Sequence, residues 1–194
     1  MPAVADKPRL PAGPPAAGWL VLPNLITLGR LIAVPVILLL ILRQRLDLAF
    51  MVFVFAGVSD ALDGWLARSW QAHTRLGAIL DPLADKALMA TVYGALAFIG
   101  ILPMWLAILV VARDGSIMAG VVTMRLLRRP LTIRPLAISK LNTLLQILLA
   151  GLALGLAGFG LAAPTLMAGL LLLVACVTIA SGVAYAAQAV RRAA

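Results

Sequence analysis

Apolar residues run through this chain in long blocks, without the strict alternation of a half-buried strand or the single stripe of a surface helix. Six blocks are long enough for helices that cross a bilayer, which takes about 20 residues at roughly 1.5 Å of rise each. The pattern predicts spans over approximately Leu25–Leu42, Leu48–Trp70, Leu76–Ile101, Met104–Leu127, Ile138–Leu161 and Pro164–Val190. Pro23 and Asn24 suit a helix start, and Pro103 marks a short turn between the third and fourth spans. Residues 1–18 are rich in Pro, Ala and Gly and read as a flexible cytoplasmic tail, with a short interfacial segment around Trp19, Leu20 and Val21. Residues 19–194 show no internal repeat. They read as one all-α integral membrane domain, a bundle of six transmembrane helices.

Composition agrees with this reading. Of 194 residues, 63% are hydrophobic and 12% charged, whereas a soluble domain is about half apolar. The net charge of +9 would suit nucleic acid, but the placement of the basic residues suits a membrane better. Lys7, Arg9, Arg68, Arg75, Arg125, Arg128, Arg129, Arg134, Lys140, Arg191 and Arg192 fall on one side of the predicted bundle, and only Arg43 and Arg45 on the other. Basic residues gather on the cytoplasmic side, facing anionic lipid head groups. Both termini are therefore expected in the cytoplasm of a bacterial-type inner or plasma membrane, with membrane lipids as neighbours and no nucleic acid partner. The lone Cys176 lies in an apolar run and can form no intrachain disulfide; His73 lies in a polar turn.

The acids break the pattern. All seven are aspartates, and Asp60, Asp63, Asp81, Asp85 and Asp114 lie inside predicted spans. A charge at that depth costs several kcal/mol unless it is paired or holds a metal, so it marks function. Residues 57–86 read GVSDALDGWLARSWQAHTRLGAILDPLADK. Asp60 and Asp63 are three apart and Asp81 and Asp85 four apart, so on helices each pair shares a face. A short turn around Gln71 to Arg75 would make the two helices antiparallel neighbours, with four carboxylates converging in a cytoplasm-facing polar pocket.

Four unneutralised carboxylates repel one another and are poorly solvated there. Two divalent cations would cancel that charge, and an all-oxygen ligand set selects Mg²⁺ or Mn²⁺. Such a pair clamps the attacking and leaving oxygens of a phosphoryl displacement. The spacing alone also admits structural acids, ion-paired with Arg68, Arg75 and Lys86. Gly64 removes a side chain beside Asp63, and Arg68 lies two turns beyond Asp60, where a guanidinium could hold diphosphate oxygens.

The arrangement resembles the CDP-alcohol phosphatidyltransferase family, whose pattern D-x2-D-G-x2-A-R-x8-G-x3-D-x3-D is filled by Asp60, Asp63, Gly64, Ala67, Arg68, Gly77, Asp81 and Asp85. The opening PNLITLGRL, residues 23–31, and the six-span length are also similar to the family. The resemblance implies transfer of a phosphatidyl group from CDP-diacylglycerol to an alcohol, with release of CMP. It makes Asp60, Asp63, Asp81 and Asp85 ligands of two Mg²⁺ or Mn²⁺ ions. Asp85 would also be the general base. Asp63, Gly64, Ala67, Arg68 and Gly77 would lie against the CDP moiety, with Arg68 on its diphosphate. Pairing into homodimers is implied too, although no interface is legible.

The acceptor is read from ARDG, residues 112–115, and RPLAISKLNTLLQ, residues 134–146. Arg113-Asp114 followed by I-S-K-x-N-T-x-x-Q resembles the CMP-forming cardiolipin synthases, whose acceptor is phosphatidylglycerol. The related phosphatidylglycerophosphate synthases, which use glycerol 3-phosphate, more often show R-E and G-K-x-K-T-x-x-Q. Arg113 and Lys140 are candidates for an acceptor phosphate; Arg113 and Asp114 could instead bond within the bundle, as could Asn142 and Gln146 across helices. A cation transporter would also place acids in spans, but it has no evident need for the fixed glycines or Arg68.

Overall fold

In the computed structural model the described residues are 17–70, 77–126 and 137–193, with side chains described for residues 28–60, 83–120, 123 and 137–188. Among them there are six helices and no strand: α1 (Ala17–Leu42), α2 (Leu46–Trp70), α3 (Gly77–Phe98), α4 (Met104–Leu126), α5 (Ala137–Gly158) and α6 (Pro164–Ala193). The expected tail lies outside the described residues except for its last two, which open α1. That helix begins at Ala17 and not near Leu25, so Trp19, Leu20 and Val21 belong to it and Pro23 lies within it. A proline deletes one N–H donor, and an apolar setting tolerates the loss where neighbouring groups absorb it.

Three helices end through the same backbone device. At the end of α3, Gly100 has a φ of 81°. The Ile101 N–H bonds the Leu96 carbonyl at 2.9 Å and the Gly100 N–H bonds the Ala97 carbonyl at 3.1 Å. This pair of bonds closes a helix whose next residue is left-handed. The device ends α3 at Phe98, before the predicted Ile101. Gly160, with a φ of 64°, closes α5 similarly through Leu161 and Leu156. After α1 the left-handed position is Gln44, at a φ of 59°, a conformation that costs a side-chain-bearing residue about 1 kcal/mol.

The helices close into a ring. Going round, α1 packs on α3, α3 on α4, α4 on α6, α6 on α5, α5 on α2 and α2 on α1, with a lighter contact from α3 to α5 across the middle. Among the described residues α2 and α3 are not packed on each other, contrary to the antiparallel pairing expected from their short connection. Six residues, 71–76, link them; extended, these reach about 20 Å, twice a helix width of roughly 10 Å, so α1 fits between. Ile37, Ile41, Val92, Tyr93, Leu96, Leu149 and Leu154 are fully buried in the interior.

Glycine sets the closest approach. A Cβ on Gly158 would sit 2.6 Å from the backbone nitrogen of Asp47, so the end of α5 lies directly against the start of α2. The outer surface carries large apolar side chains: Phe55 and Phe98 are 75% exposed, Val183 63% and Leu172 62%. Within the described residues, α5 and the Pro164–Gln188 part of α6 are long and apolar enough to cross a membrane, and Leu28–Leu42 is a shorter apolar stretch.

Candidate active site

The site is organised by a charge on α1. Arg30 interrupts an apolar helix, and its side chain is 3% exposed. One amino nitrogen, Nη1, donates to Asp85 Oδ1 at 2.5 Å, and Nη2 pairs with Asp60. The two aspartates, from α3 and α2, are each 45% exposed at the side chain. A buried guanidinium thus bridges carboxylates from two helices, α2 and α3, that make no contact with each other among the described residues. The Arg30 Nε–H is buried with no partner among the described residues. Asp63 stands three residues beyond Asp60 on α2, and Asp81 four before Asp85 on α3. Their side chains, and those of Ala67 and Arg68, lie outside the described residues, as does the structural setting of Gly64 and Gly77 beyond their places in these helices.

Asp60 and Asp85 nevertheless allow a test of the expected metal. Both direct an oxygen onto one positive group, so an all-oxygen donor set already converges on a cation from two helices. That fits a hard divalent ion. No set of three or more candidate ligands is gathered among the described residues alone.

A second cluster starts from the next residue of α3. Lys86, next to Asp85, extends to Asp114 Oδ2 on α4 at 2.5 Å, and Arg113 Nη1 donates to Asp114 Oδ1 at 2.8 Å. Arg113 is buried. Its Nη2 donates to Ser139 Oγ on α5 at 2.8 Å and to Ser181 on α6, and its guanidinium lies 5.8 Å from the Tyr185 ring centre. Lys86 therefore has Asp114 as an ion-pair partner. The fork of Arg113 is occupied within the bundle, which is the alternative that its sequence left open. Lys140, one residue after Ser139, is exposed. Asn142 accepts a bond from Thr178 Oγ1 at 2.8 Å across to α6, while the buried amide of Gln146 has no partner among the described residues.

The first cluster stands at the head of a cavity of about 990 Å³, near the top of the roughly 300–1,000 Å³ range of small-molecule sites. Its polar lining is Arg30, Asp60, Asp85, Lys86 and Thr143; the rest is apolar and runs between α2 and α5 toward Phe50 and Phe159. Arg30 is the residue that sequence reasoning left without a role. The available signal was a cation inside an apolar span, the same signal that drew attention to the acids.

The profile of the CDP-alcohol phosphatidyltransferase family matches residues 20–186. A fission yeast (Schizosaccharomyces pombe) protein named as a cardiolipin synthase (CMP-forming) / mitochondrial hydrolase fusion is 36% identical over 84% of this chain and 30% of its own length. The human cardiolipin synthase (CMP-forming) is 34% identical over 77% of this chain and 54% of its own. A probable phosphatidylglycerophosphate synthase of Mycobacterium tuberculosis (strain H37Rv) is 35% identical over 88% of this chain and 82% of its own. The chain thus spans about half the length, or less, of these cardiolipin synthases. The profile covers most of the sequence, including both helices that carry the aspartates and the Arg30 helix that joins them, and the chain belongs to the CDP-alcohol phosphatidyltransferase family.

Proposed function

We propose that the protein transfers the phosphatidyl group of CDP-diacylglycerol to an alcohol and releases CMP, with phosphatidylglycerol as acceptor, the reaction of a cardiolipin synthase. The observation that carries the reading is a polar head of Arg30, Asp60 and Asp85 opening onto an apolar groove, in a chain of this family. A nucleotide-activated lipid has this division, a charged diphosphate on a hydrocarbon body. Glycerol 3-phosphate is the second reading, supported by the M. tuberculosis relative, which matches over most of both chains.

In this reading Asp60, Asp63, Asp81 and Asp85 hold two Mg²⁺ or Mn²⁺ ions. When bound, these supply charge neutralisation for the diphosphate and its leaving group. The chain's own groups do the rest. Gly64, Ala67 and Gly77 line the CDP moiety along with Asp63, and Arg68 takes diphosphate oxygens through its planar fork. Asp85 accepts the proton of the acceptor hydroxyl as its oxygen attacks the phosphorus bonded to diacylglycerol. A new phosphorus–oxygen bond forms, the bond to the CMP oxygen breaks, and CMP departs with the electron pair. Such transfer depends on positioning and charge stabilisation more than on covalent catalysis. Lys140, with Arg113 setting its turn of α5 through Ser139, takes the acceptor phosphate.

The same reading makes the ring a six-span bundle with both termini and the site at the cytoplasmic face, supported by its apolar exterior and the distribution of Lys and Arg. Pairing of two copies belongs to it as well, and native mass spectrometry in detergent decides that point.

The experiment is a reconstitution. Purified protein receives CDP-diacylglycerol, Mg²⁺ or Mn²⁺, and phosphatidylglycerol or glycerol 3-phosphate in separate reactions, with CMP and the lipid product identified by mass spectrometry. Cardiolipin should form with the first acceptor. Asp81→Asn and Asp85→Asn should each lower CMP release by at least about 100-fold, the usual scale for a group that holds transition-state charge, while the protein remains folded. Full turnover in either variant sinks the metal-site reading.

A further inference from the structure

The apolar groove has a built end. It begins at Asp60 on α2 and reaches Phe50 on the same helix, a separation of ten positions, or about 15 Å of helix rise. That is half the thickness of a hydrocarbon core of about 30 Å, hence the reach of one acyl chain in one leaflet. Its lateral wall is open: Val54, Val58, Ile147 and Leu148 are all exposed. A chain can therefore slide in sideways from the surrounding lipid.

At the far end the Phe50 and Phe159 rings meet edge to face, their centres 5.7 Å apart at 82°. The Phe50 ring is held from behind, because a Cβ on Gly155 would already lie 3.2 Å from it. Higher in the groove, a Cβ on Gly151 would be 3.6 Å from the Phe53 ring, an ordinary contact. The missing side chains of Gly151 and Gly155 leave the groove its depth, and the two rings stand at its far end beside Leu161.

We propose that Phe50 and Phe159 set the acyl-chain length this protein accepts, by stopping one chain of the CDP-activated lipid at the end of the groove that starts at Arg30, Asp60 and Asp85. The inference rests on the phosphatidyl-transfer reading above. The occupant is that substrate's own chain and not a resident lipid, because the groove is continuous with the cluster that takes its phosphates. The chain moves from one apolar medium to another, so discrimination comes from overfilling and not from hydrophobic transfer. Forcing extra methylenes against a packed stop lowers binding by roughly ten-fold or more.

The test uses the full chain in nanodiscs with CDP-diacylglycerols of graded chain length offered in competition, products being counted by mass spectrometry. Wild-type protein should prefer one length and disfavour chains a few methylenes longer by about ten-fold. Phe159→Ala, a change at a half-exposed ring on the edge of the bundle, should remove most of that penalty. Gly151→Val, which fills the groove midway, should move the preference to shorter chains. If both variants release CMP with the wild-type length profile, the gauge is wrong although the catalytic reading stands. A flat wild-type profile is equally fatal, since it indicates that the groove holds a resident lipid. If wild-type protein releases no CMP at any length, the catalytic reading fails and takes the gauge with it.

Discussion

Arg30 carries a single positive charge between Asp60 and Asp85, and three helices meet through it. Removing one partner of a buried pair costs about 3–5 kcal/mol; here both carboxylates are half exposed, so water screens them and the expected loss for Arg30→Met is nearer 1–3 kcal/mol. Thermal unfolding in detergent measures it. A cycle combining Arg30→Met with Asp60→Asn should show coupling above about 0.5 kcal/mol, and simple additivity would mean the contact contributes nothing. The sequence made the acids legible because their spacing and their depth in apolar helices were both abnormal. Arg30 had the depth but no spacing, since its partners stand 30 and 55 positions away. For Arg113 two uses were open from sequence alone, phosphate or bundle. Its bonds to Ser139 and Ser181 were not legible, because only packing brings those residues to it.

Glycine spacing governs how closely α5 lies on α2. Along α5, Gly151, Gly155 and Gly158 face Phe53, Phe50 and the Asp47 backbone in turn, with progressively less room. Small residues at such intervals let helices approach in an apolar medium. Gly151→Ala should therefore be tolerated within about 1 kcal/mol, whereas Gly158→Ala drives a methyl into main chain and should lose about 2 kcal/mol or more. Chemical denaturation of the two variants side by side checks the contrast; equal effects would mean the helices separate freely at that end. Helix starts such as Met104 and Pro164 were readable because Pro stands at or just before each. The start of α1 was not, because a proline that usually opens a helix here sits inside one. Apolar runs overshoot the helix ends by a few residues where Gly100 and Gly160 stop the helix before the run is exhausted.

Around the whole ring, chain order and spatial order differ, and hydropathy carries no information on which helices touch. Six connected apolar blocks were legible; that α1 stands between α2 and α3 was not. Orientation, by contrast, is a prediction from charge. With Cys176 replaced by Ser, a single cysteine at Lys140 should react with a membrane-impermeant maleimide only after the cytoplasmic face is opened, and one at Arg43 should react in intact cells. The reverse pattern overturns the assigned direction. Asp85 and Lys86 are adjacent on α3, so their side chains leave the helix about 100° apart, one toward Arg30 and the other toward Asp114. A drift in sequence that rotated α3 to suit a new partner on one side would misalign the other. Divergence here is thus expected to proceed by paired exchanges around a fixed α3, with a charge lost at position 114 answered by one at position 86.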